Sequence, residues 1–397
     1  MNHFINATVF TGSGWLANAT VLTNNGRIQE ITTAELPENA TDTIIDLQGD
    51  YLVPGLIDLQ LYGGYEQFLN ETPTPETVRH IYDTHLRNGT TTLLPTIHST
   101  SLDVMMQATA AVQTVRAENP FGVPGIHIEG PYFNPIKRGA HSAAYVRTPA
   151  DGELDTLFSQ NADAIRILTL APEILTTEQL NTINRLKHAN TRLSLGHSNA
   201  TYQQATDALN TGFMPLGTHL YNAMRGYESR EPGVVGAIFD HPAVRVSLVA
   251  DSYHCYPPTI RVAHKILGDR LFLISDALFA SYAGGPSPRA AFSLGEFVVH
   301  YEPDTNGPGR YVNDAGNLAG SALSIIDCVR VCVEKAGLPL IDVLRKATEI
   351  PADVIGMGDE IGKIAPGYVA NLVRLDDKLI VKGVWVARKS VDDILVS

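Results

Sequence analysis

Three side chains in the middle of the chain are of the types that bind a catalytic cation. Glu129 ends the apolar run VPGIHIE, His197 follows RLSLG, and His219 follows FMPLGT. Two imidazoles and one carboxylate form a known ligand set of catalytic zinc, which leaves a fourth position for water. Alone, each residue has a structural alternative, a hydrogen-bonded histidine or a turn-forming Glu-Gly-Pro. Together they indicate a metal centre with an activated water.

An acidic residue ends another apolar run, LFLISD, at Asp276. A carboxylate at the end of a buried strand needs a partner or a proton to move, and the structural alternative is a helix N-cap. Beside an activated water, Asp276 would act as general base and then general acid. His141, in KRGAHS, is a candidate donor to a developing oxyanion, and His254 a candidate contact to a substrate oxygen. For both, an ordinary loop histidine is the alternative.

The segment after His219 has groups that suit a phosphate. It reads LYNAM and is followed by Arg225 and Arg230. Backbone N–H groups, an amide and an arginine together can hold a phosphate, which arginine grips with two hydrogen bonds. We interpret Arg225 as a solvated side chain. The formal net charge of −13 does not attract an anionic substrate, so local donors must hold the phosphate. The same charge argues against nucleic acid or an anionic membrane as partner.

Eight short apolar runs recur between residues 52 and 277, and most are separated by segments of helical character. Apolar strands that alternate with helices are typical of a parallel sheet covered on both faces, and eight of them predict a (β/α)₈ TIM-like barrel. Catalytic residues of such barrels lie at the C-terminal ends of the strands. The polar residues of these runs lie at those ends: Gln60, His98, Glu129, His197, His219, Asp251 and Asp276.

Both ends of the chain read as short strands and turns. ATVLTNNGRIQEI has a hairpin signal at Asn25-Gly26, and YVANLVRL and LIVKGVWVARK are strand-like. We therefore predict a small β domain from residues 1–54 and 353–397, and a catalytic barrel over 55–352. Cys255, Cys328 and Cys332 form no disulfide framework or zinc motif. No signal peptide or membrane-spanning run is evident, which predicts a cytoplasmic protein.

In chain order, the motifs HIEGPYFN, KRGAH, SLGHSNA, GTHLYNAM, REPG, ISDA and NLAGSAL resemble those of the N-acetylglucosamine-6-phosphate deacetylases of the amidohydrolase superfamily. The resemblance extends from PGLIDLQ to GKIAPGYVANLV. It implies a (β/α)₈ barrel of the metal-dependent hydrolase type with a small β-sandwich domain built from both termini. It also implies hydrolysis of an N-acetylated amino-sugar phosphate to the free amine and acetate.

The resemblance implies a role for each matching residue. Asp276 would be the acid/base, and His141 would polarise the acetyl carbonyl. One divalent metal per subunit is implied, with zinc first and iron, cobalt or manganese as alternatives. A homodimer is also implied, in which the residues equivalent to Arg230 and His254 come from the neighbouring subunit. The metal would be bound by Glu129, His197 and His219, and the substrate by Ala140, Asn222, Ala223, Arg230, His254, Leu318, Ala319 and Gly320.

The end of the first barrel strand departs from the superfamily pattern. Many amidohydrolases carry His-x-His there and hold two metals, whereas this chain reads Gln60-Leu61-Tyr62. Neither side chain is a good ligand for a borderline divalent cation, although Gln60 can hydrogen-bond a water on the metal. We therefore predict one metal, at Glu129.

Other functions fit parts of the pattern. An N-acetylgalactosamine-6-phosphate deacetylase or an N-acyl-D-amino acid deacylase would keep the metal set, although Arg230 and Asn222 favour a phosphorylated substrate. A non-catalytic barrel or a sugar-binding module is expected to have lost ligands or the acid/base, and all four residues are present.

Overall fold

The N-terminal segment forms five short strands. The computed structural model describes residues 1–34, 42–280, 288–304, 307–387 and 392–395. The turn between the second and third strands is the predicted one, because Asn25 and Gly26 have φ values of 50° and 70°, as a two-residue hairpin turn requires. The strands are β1 Asn2–Phe10, β2 Trp15–Asn24, β3 Arg27–Thr32, β4 Thr43–Asp46 and β5 Tyr51–Pro54.

Eight parallel strands follow, paired in chain order. The first and last are joined at their C-terminal ends, where the amide N–H of Asp276 donates to the carbonyl of Gln60 (3.0 Å) and that of Tyr62 to the carbonyl of Ala277 (2.8 Å). The predicted barrel is confirmed. Its strands are β6 Leu56–Leu61, β7 Thr90–Ile97, β8 Ile126–Glu129, β9 Ile165–Leu170, β10 Arg192–Leu195, β11 Leu216–Gly217, β12 Arg245–Val249 and β13 Leu271–Ile274.

Helices connect most of the barrel strands and cover them. Several begin at threonine or serine caps; Thr176 and Thr201, for example, form capping boxes with Gln179 and Gln204, which satisfy free N–H groups at the helix start. In the part of the chain that the structure describes, no helix has the length and apolar character needed to cross a membrane. The first seven helices are α1 Pro75–Leu86, α2 Leu102–Glu118, α3 Glu153–Leu157, α4 Thr177–Leu186, α5 Tyr202–Asn210, α6 Gly233–Asp240 and α7 Pro257–Leu267.

A small antiparallel sheet follows the last barrel strand, and the sequence did not predict it. It pairs in the order β14-β15-β16-β17, and its last strand contains Leu318, Ala319 and Gly320. The strands are β14 Ala291–Leu294, β15 Phe297–Asp304, β16 Gly307–Asn313 and β17 Leu318–Ser321. Three helices then return the chain to the outside of the barrel: α8 Ile325–Arg330, α9 Leu340–Ala347 and α10 Glu349–Val354.

The C-terminal strands, β18 Leu372–Leu375, β19 Val381–Ala387 and β20 Asp392–Leu395, join the N-terminal sheet. β18 pairs antiparallel with β5, and Leu372 is opposite Pro54, so both chain ends build one sheet, as the strand patterns predicted. Gly55 separates this sheet from the barrel, and a Cβ there would lie 1.9 Å from Oγ1 of Thr91. The domain boundaries 1–54, 55–352 and 353–397 stay a prediction.

Candidate active site

The four residues predicted for the metal and the acid/base lie together at the C-terminal mouth of the barrel. Glu129 ends β8, whereas His197, His219 and Asp276 each follow a strand by two residues. All four are buried. The last three have positive φ values of 49°, 38° and 56°. That backbone region is unfavourable for residues other than glycine, and such outliers cluster at functional sites.

The two histidines present unprotonated nitrogens to the same carboxylate oxygen. Nδ1 of His197 lies 2.8 Å from the carbonyl oxygen of Lys137, and Nδ1 of His219 lies 3.1 Å from that of Asn222. A carbonyl only accepts, so in the neutral ring the proton is on Nδ1 and Nε2 keeps a lone pair. The Nε2 atoms lie 3.3 Å and 3.1 Å from Oε1 of Glu129, and 3.1 Å from each other.

With both rings neutral, three acceptors converge with no proton between them, and without a cation, although burial opposes it, the charge of Glu129 raises the pKa of His219. Such an arrangement is unfavourable unless a cation occupies the centre, and Nε2, Nε2 and carboxylate oxygen are suitable ligands for zinc and related divalent metals. The ligand atoms of Glu129, His197 and His219 lie within 4.8 Å of one another. The residues fit the predicted group, and the carbonyl partners fix the orientation of both rings.

His141 lies on the other side of Glu129 and has the opposite tautomer. The backbone N–H of Ser99 donates to its Nδ1 (3.1 Å), so the proton of the neutral ring must be on Nε2. That Nε2 lies 3.3 Å from Oε2 of Glu129. His141 thus offers an N–H group to the cavity, which is what a donor to an oxyanion needs.

Gln60 and Tyr62 connect Glu129 with Asp276. Nε2 of Gln60 donates to Oε1 of Glu129 and to Oδ1 of Asp276, both at 2.9 Å. The hydroxyl of Tyr62 makes a short hydrogen bond to Oε2 of Glu129 and lies 3.1 Å from Oδ1 of Asp276. Burial and the charge of Glu129 raise the pKa of Asp276 to about 6, within the range of a general base at neutral pH.

His254 is held by a neighbouring aspartate. Its Nδ1 lies 2.5 Å from Oδ2 of Asp251, and Oδ1 of Asp251 accepts the backbone N–H groups of Tyr253 (2.8 Å) and His254 (2.7 Å). Although burial opposes it, the charge of Asp251 raises the pKa of His254. The protonated ring would present an Nε2–H donor to the cavity.

Most of the residues predicted for the substrate line one cavity of about 160 Å³ with these groups. Gln60 is buried beside this cavity and is not among its lining residues, and Arg230 is exposed on the surface. Arg225, which we interpreted as solvated, donates to the carbonyl of Asn199 (3.3 Å). The lining residues are Tyr62, His98, Glu129, Gly139, Ala140, His141, His197, His219, Asn222, Ala223, His254, Asp276, Leu318, Ala319 and Gly320.

His98 is a site residue to which the sequence analysis gave no role. It is buried, and neither ring nitrogen has a hydrogen-bond partner among the described residues. Its ring packs between Tyr62 and His141, with centroid distances of 4.2 Å and 4.3 Å. The sequence signal was its position just after the second barrel strand, which it shares with the ligands. A buried, unpartnered imidazole in the cavity lining is a candidate substrate contact.

Comparison with known proteins gives consistent results. Residues 51–391 match the model of the Amidohydrolase family. An N-acetylgalactosamine-6-phosphate deacetylase of Shewanella sp. is 36% identical over 85% of this chain and 82% of its own length. An N-acetylglucosamine-6-phosphate deacetylase of Haemophilus influenzae is 32% identical over 93% of each chain.

Solved structures of such enzymes also resemble this chain. The N-acetylglucosamine-6-phosphate deacetylase from Pasteurella multocida superposes with a TM-score of 0.90 at 30% identity, covering all of both chains. A mutant of the Mycobacterium smegmatis enzyme in complex with N-acetyl-D-glucosamine-6-phosphate gives a TM-score of 0.86 at 27% identity, over 100% of this chain and 99% of its own.

Proposed function

The chain belongs to the amidohydrolase family, and from this premise we propose that it hydrolyses the acetamide of N-acetyl-D-glucosamine 6-phosphate to D-glucosamine 6-phosphate and acetate. The observation that carries the proposal is the convergence of three unprotonated ligand atoms, from Glu129, His197 and His219, beside a buried carboxylate and an N–H donor. Metal ligands, acid/base and oxyanion donor are the parts that amide hydrolysis needs.

Glu129, His197 and His219 would hold one divalent cation, with zinc first and iron, cobalt or manganese as alternatives. When bound, such a cation lowers the pKa of a water and polarises the acetyl carbonyl. Asp276 takes the proton of the attacking water and later gives it to the leaving nitrogen, so that the C–N bond breaks to an amine and acetate. His141 donates its Nε2–H to the carbonyl oxygen as that oxygen becomes negative.

The other lining residues bind the sugar and the phosphate in this proposal. Ala140, Leu318, Ala319 and Gly320 form the wall around the sugar, and His254 donates to one of its oxygens. Asn222 and the backbone of Ala223 face the phosphate. Among the described residues, the cavity lining contains no lysine or arginine, and Arg230 is exposed. We therefore propose a homodimer in which Arg230 of a second copy supplies the positive charge for the phosphate.

N-acetylgalactosamine 6-phosphate is the second candidate substrate, because the Shewanella relative bears that name at 36% identity. The two sugars differ at one hydroxyl, and both satisfy the same cation and acid/base geometry. An N-acyl-D-amino acid deacylase is the third candidate, and Asn222 together with Arg230 favours a phosphorylated substrate over it.

The test measures acetate release from four substrates: both N-acetylhexosamine 6-phosphates, unphosphorylated N-acetylglucosamine and an N-acetyl-D-amino acid. We expect turnover of N-acetylglucosamine 6-phosphate that a chelator abolishes and zinc restores, with the unphosphorylated sugar much slower. Faster turnover of the galactose epimer would select the second candidate. No acetate from any phosphorylated sugar, with metal present, would refute the proposed function.

A further inference from the structure

Two buried carboxylates approach each other at the barrel mouth. One amide nitrogen, Nε2 of Gln60, lies 2.9 Å from an oxygen of Glu129 and 2.9 Å from an oxygen of Asp276. Both carboxylates are buried. Like charges this close in a low-dielectric site repel strongly unless donors or a cation lie between them. The groups between Glu129 and Asp276 therefore decide how the acid/base is held.

The hydrogen-bond donors between Glu129 and Asp276 come from two side chains, Gln60 and Tyr62. We call this pair the Gln60–Tyr62 bridge. The amide supplies two N–H groups and the phenol one O–H group. The phenol contacts Oε2 of Glu129 and Oδ1 of Asp276, and it also lies 2.8 Å from the amide nitrogen of Gln60. The bridge thus contacts both oxygens of Glu129 and one oxygen of Asp276.

The bridge is rigid because backbone and packing contacts hold its two residues. The carbonyl of Gln60 accepts the N–H of Asp276 (3.0 Å), and the N–H of Tyr62 donates to the carbonyl of Ala277 (2.8 Å). The Tyr62 ring is 2% exposed and packs against His98 at 4.2 Å and Phe68 at 6.5 Å between centroids. Strand ends that are hydrogen-bonded to each other thus fix the phenol relative to Asp276.

We propose that Tyr62 is a positioning residue that acts through Asp276, and that the Gln60–Tyr62 bridge stabilises the charges of Glu129 and Asp276 by hydrogen bonds where a second cation would otherwise be needed. The proposal rests on the proposed function, in which Asp276 transfers the proton. The phenol keeps the carboxylate of Asp276 in one orientation and supplies no proton to the substrate. Loss of its hydroxyl should lower turnover with little effect on substrate binding.

The first experiment compares Tyr62→Phe with Tyr132→Phe. Tyr132 is also buried and its hydroxyl donates to a carboxylate, Oε1 of Glu153 (3.0 Å), away from the proposed machinery. We expect Tyr62→Phe to lower kcat by about 10- to 100-fold, the usual effect of losing a group that orients a metal-site residue, with KM and metal content unchanged. Tyr132→Phe should keep the wild-type kcat. A kcat within about twofold of wild type in Tyr62→Phe would overturn the positioning role.

The second experiment replaces the bridge by ligands in the double variant Gln60→His/Tyr62→His. Metal analysis after dialysis against zinc should rise from one to two ions per chain, because two imidazoles then face the carboxylates that have lost their donors. Metal content that stays at one in a folded double variant would overturn the proposed stabilisation of the two charges by the bridge. If the double variant does not fold, the Tyr62→Phe comparison decides.

Together with the acetate assay, the two experiments distinguish failure of this proposal from failure of the proposed function. Metal content does not depend on which substrate the wild-type protein turns over. A wild type that releases no acetate, combined with a double variant that binds a second ion, would refute the function and keep the bridge. Normal acetate release by the wild type, combined with a wild-type kcat in Tyr62→Phe, would refute the role of the bridge and keep the proposed function.

Discussion

The two oxygens of Glu129 face regions of opposite character. Oε1 lies 3.1 Å and 3.3 Å from the unprotonated nitrogens of His219 and His197, whereas Oε2 faces the hydroxyl of Tyr62 and the N–H of His141. One side gathers acceptors and needs a cation, and the other side is supplied with protein donors. A single carboxylate therefore separates the proposed metal site from the side on which Tyr62 and His141 contact its other oxygen.

The histidines on the two sides differ only in their partners at Nδ1. His197 and His219 each donate Nδ1–H to a carbonyl oxygen, whereas Nδ1 of His141 accepts a backbone N–H. The opposite nitrogen is therefore a ligand in the first case and a donor in the second. The role of each ring follows from the backbone group behind it.

The largest effect is expected from disrupting the acceptor side, the proposed metal site formed by Glu129, His197 and His219. In His219→Ala, or after chelation of the wild type, activity should fall by about 10³-fold or more, because the cation that Glu129, His197 and His219 would hold supplies the activation of the attacking water. Metal analysis and acetate release measure both changes. Zinc should restore the chelated wild type but not His219→Ala. Full activity in metal-free protein would contradict the assignment of the acceptor side.

Asp276→Asn should give the next largest effect. The amide cannot accept the proton of the water, so kcat should fall by about 10²- to 10⁴-fold. The metal ligands are unchanged, so metal content and substrate affinity should stay near wild type. Steady-state kinetics and metal analysis of the same sample measure kcat, substrate affinity and metal content separately. A variant with normal turnover would remove Asp276 from proton transfer.

The donor side can be tested with His141→Phe. A planar aromatic ring, somewhat larger than imidazole, is kept while the Nε2–H is lost, so kcat should fall by about 10²- to 10³-fold, as for loss of one oxyanion donor. Ser99→Ala is the matched control, because it keeps the backbone N–H that fixes the tautomer and removes only the hydroxyl contact (2.8 Å). Equal losses in both variants would show that His141 acts through packing.

The smallest effect is expected at His254. In Asp251→Asn the charge that raises the pKa of His254 is lost, so the ring becomes neutral as pH rises and no longer offers Nε2–H. KM should increase about 10-fold, typical of one hydrogen bond from a charged group, with a larger increase at pH 8 than at pH 6. Asp276 also raises the pKa of His254, so part of the effect should remain in Asp251→Asn. A pH-independent KM change would contradict this role.

The barrel was predictable because its signals are local. Each strand is an apolar run that ends in a polar residue, and parallel strands bring those ends to one face. The Asn25-Gly26 hairpin likewise follows from two residues. The sheet β14–β17 was missed because its half-exposed strands, such as β15, lack apolar runs as long as those of the barrel strands, and only the family resemblance singled out Leu318 to Gly320.

The partners of the site residues were less predictable. A hydrogen bond from Gln60 to a water on the metal stays a prediction, and the structure adds contacts of its amide to Tyr62, Glu129 and Asp276 that the sequence did not indicate. Contacts between residues 216 positions apart depend on barrel closure and rotamers, which spacing does not encode. His98 illustrates the same limit, since only its ring neighbours distinguish it from an ordinary strand-end histidine.

The left-handed backbone at His197, His219 and Asp276 has an evolutionary consequence. Each such residue costs about 1–3 kcal/mol relative to an unstrained conformation, and glycine at the same place would relieve most of it. Drift towards a more stable fold would therefore favour glycine at these three positions, were there no selection for turnover. A descendant of this barrel that had lost its chemistry should show glycines there before its core changes.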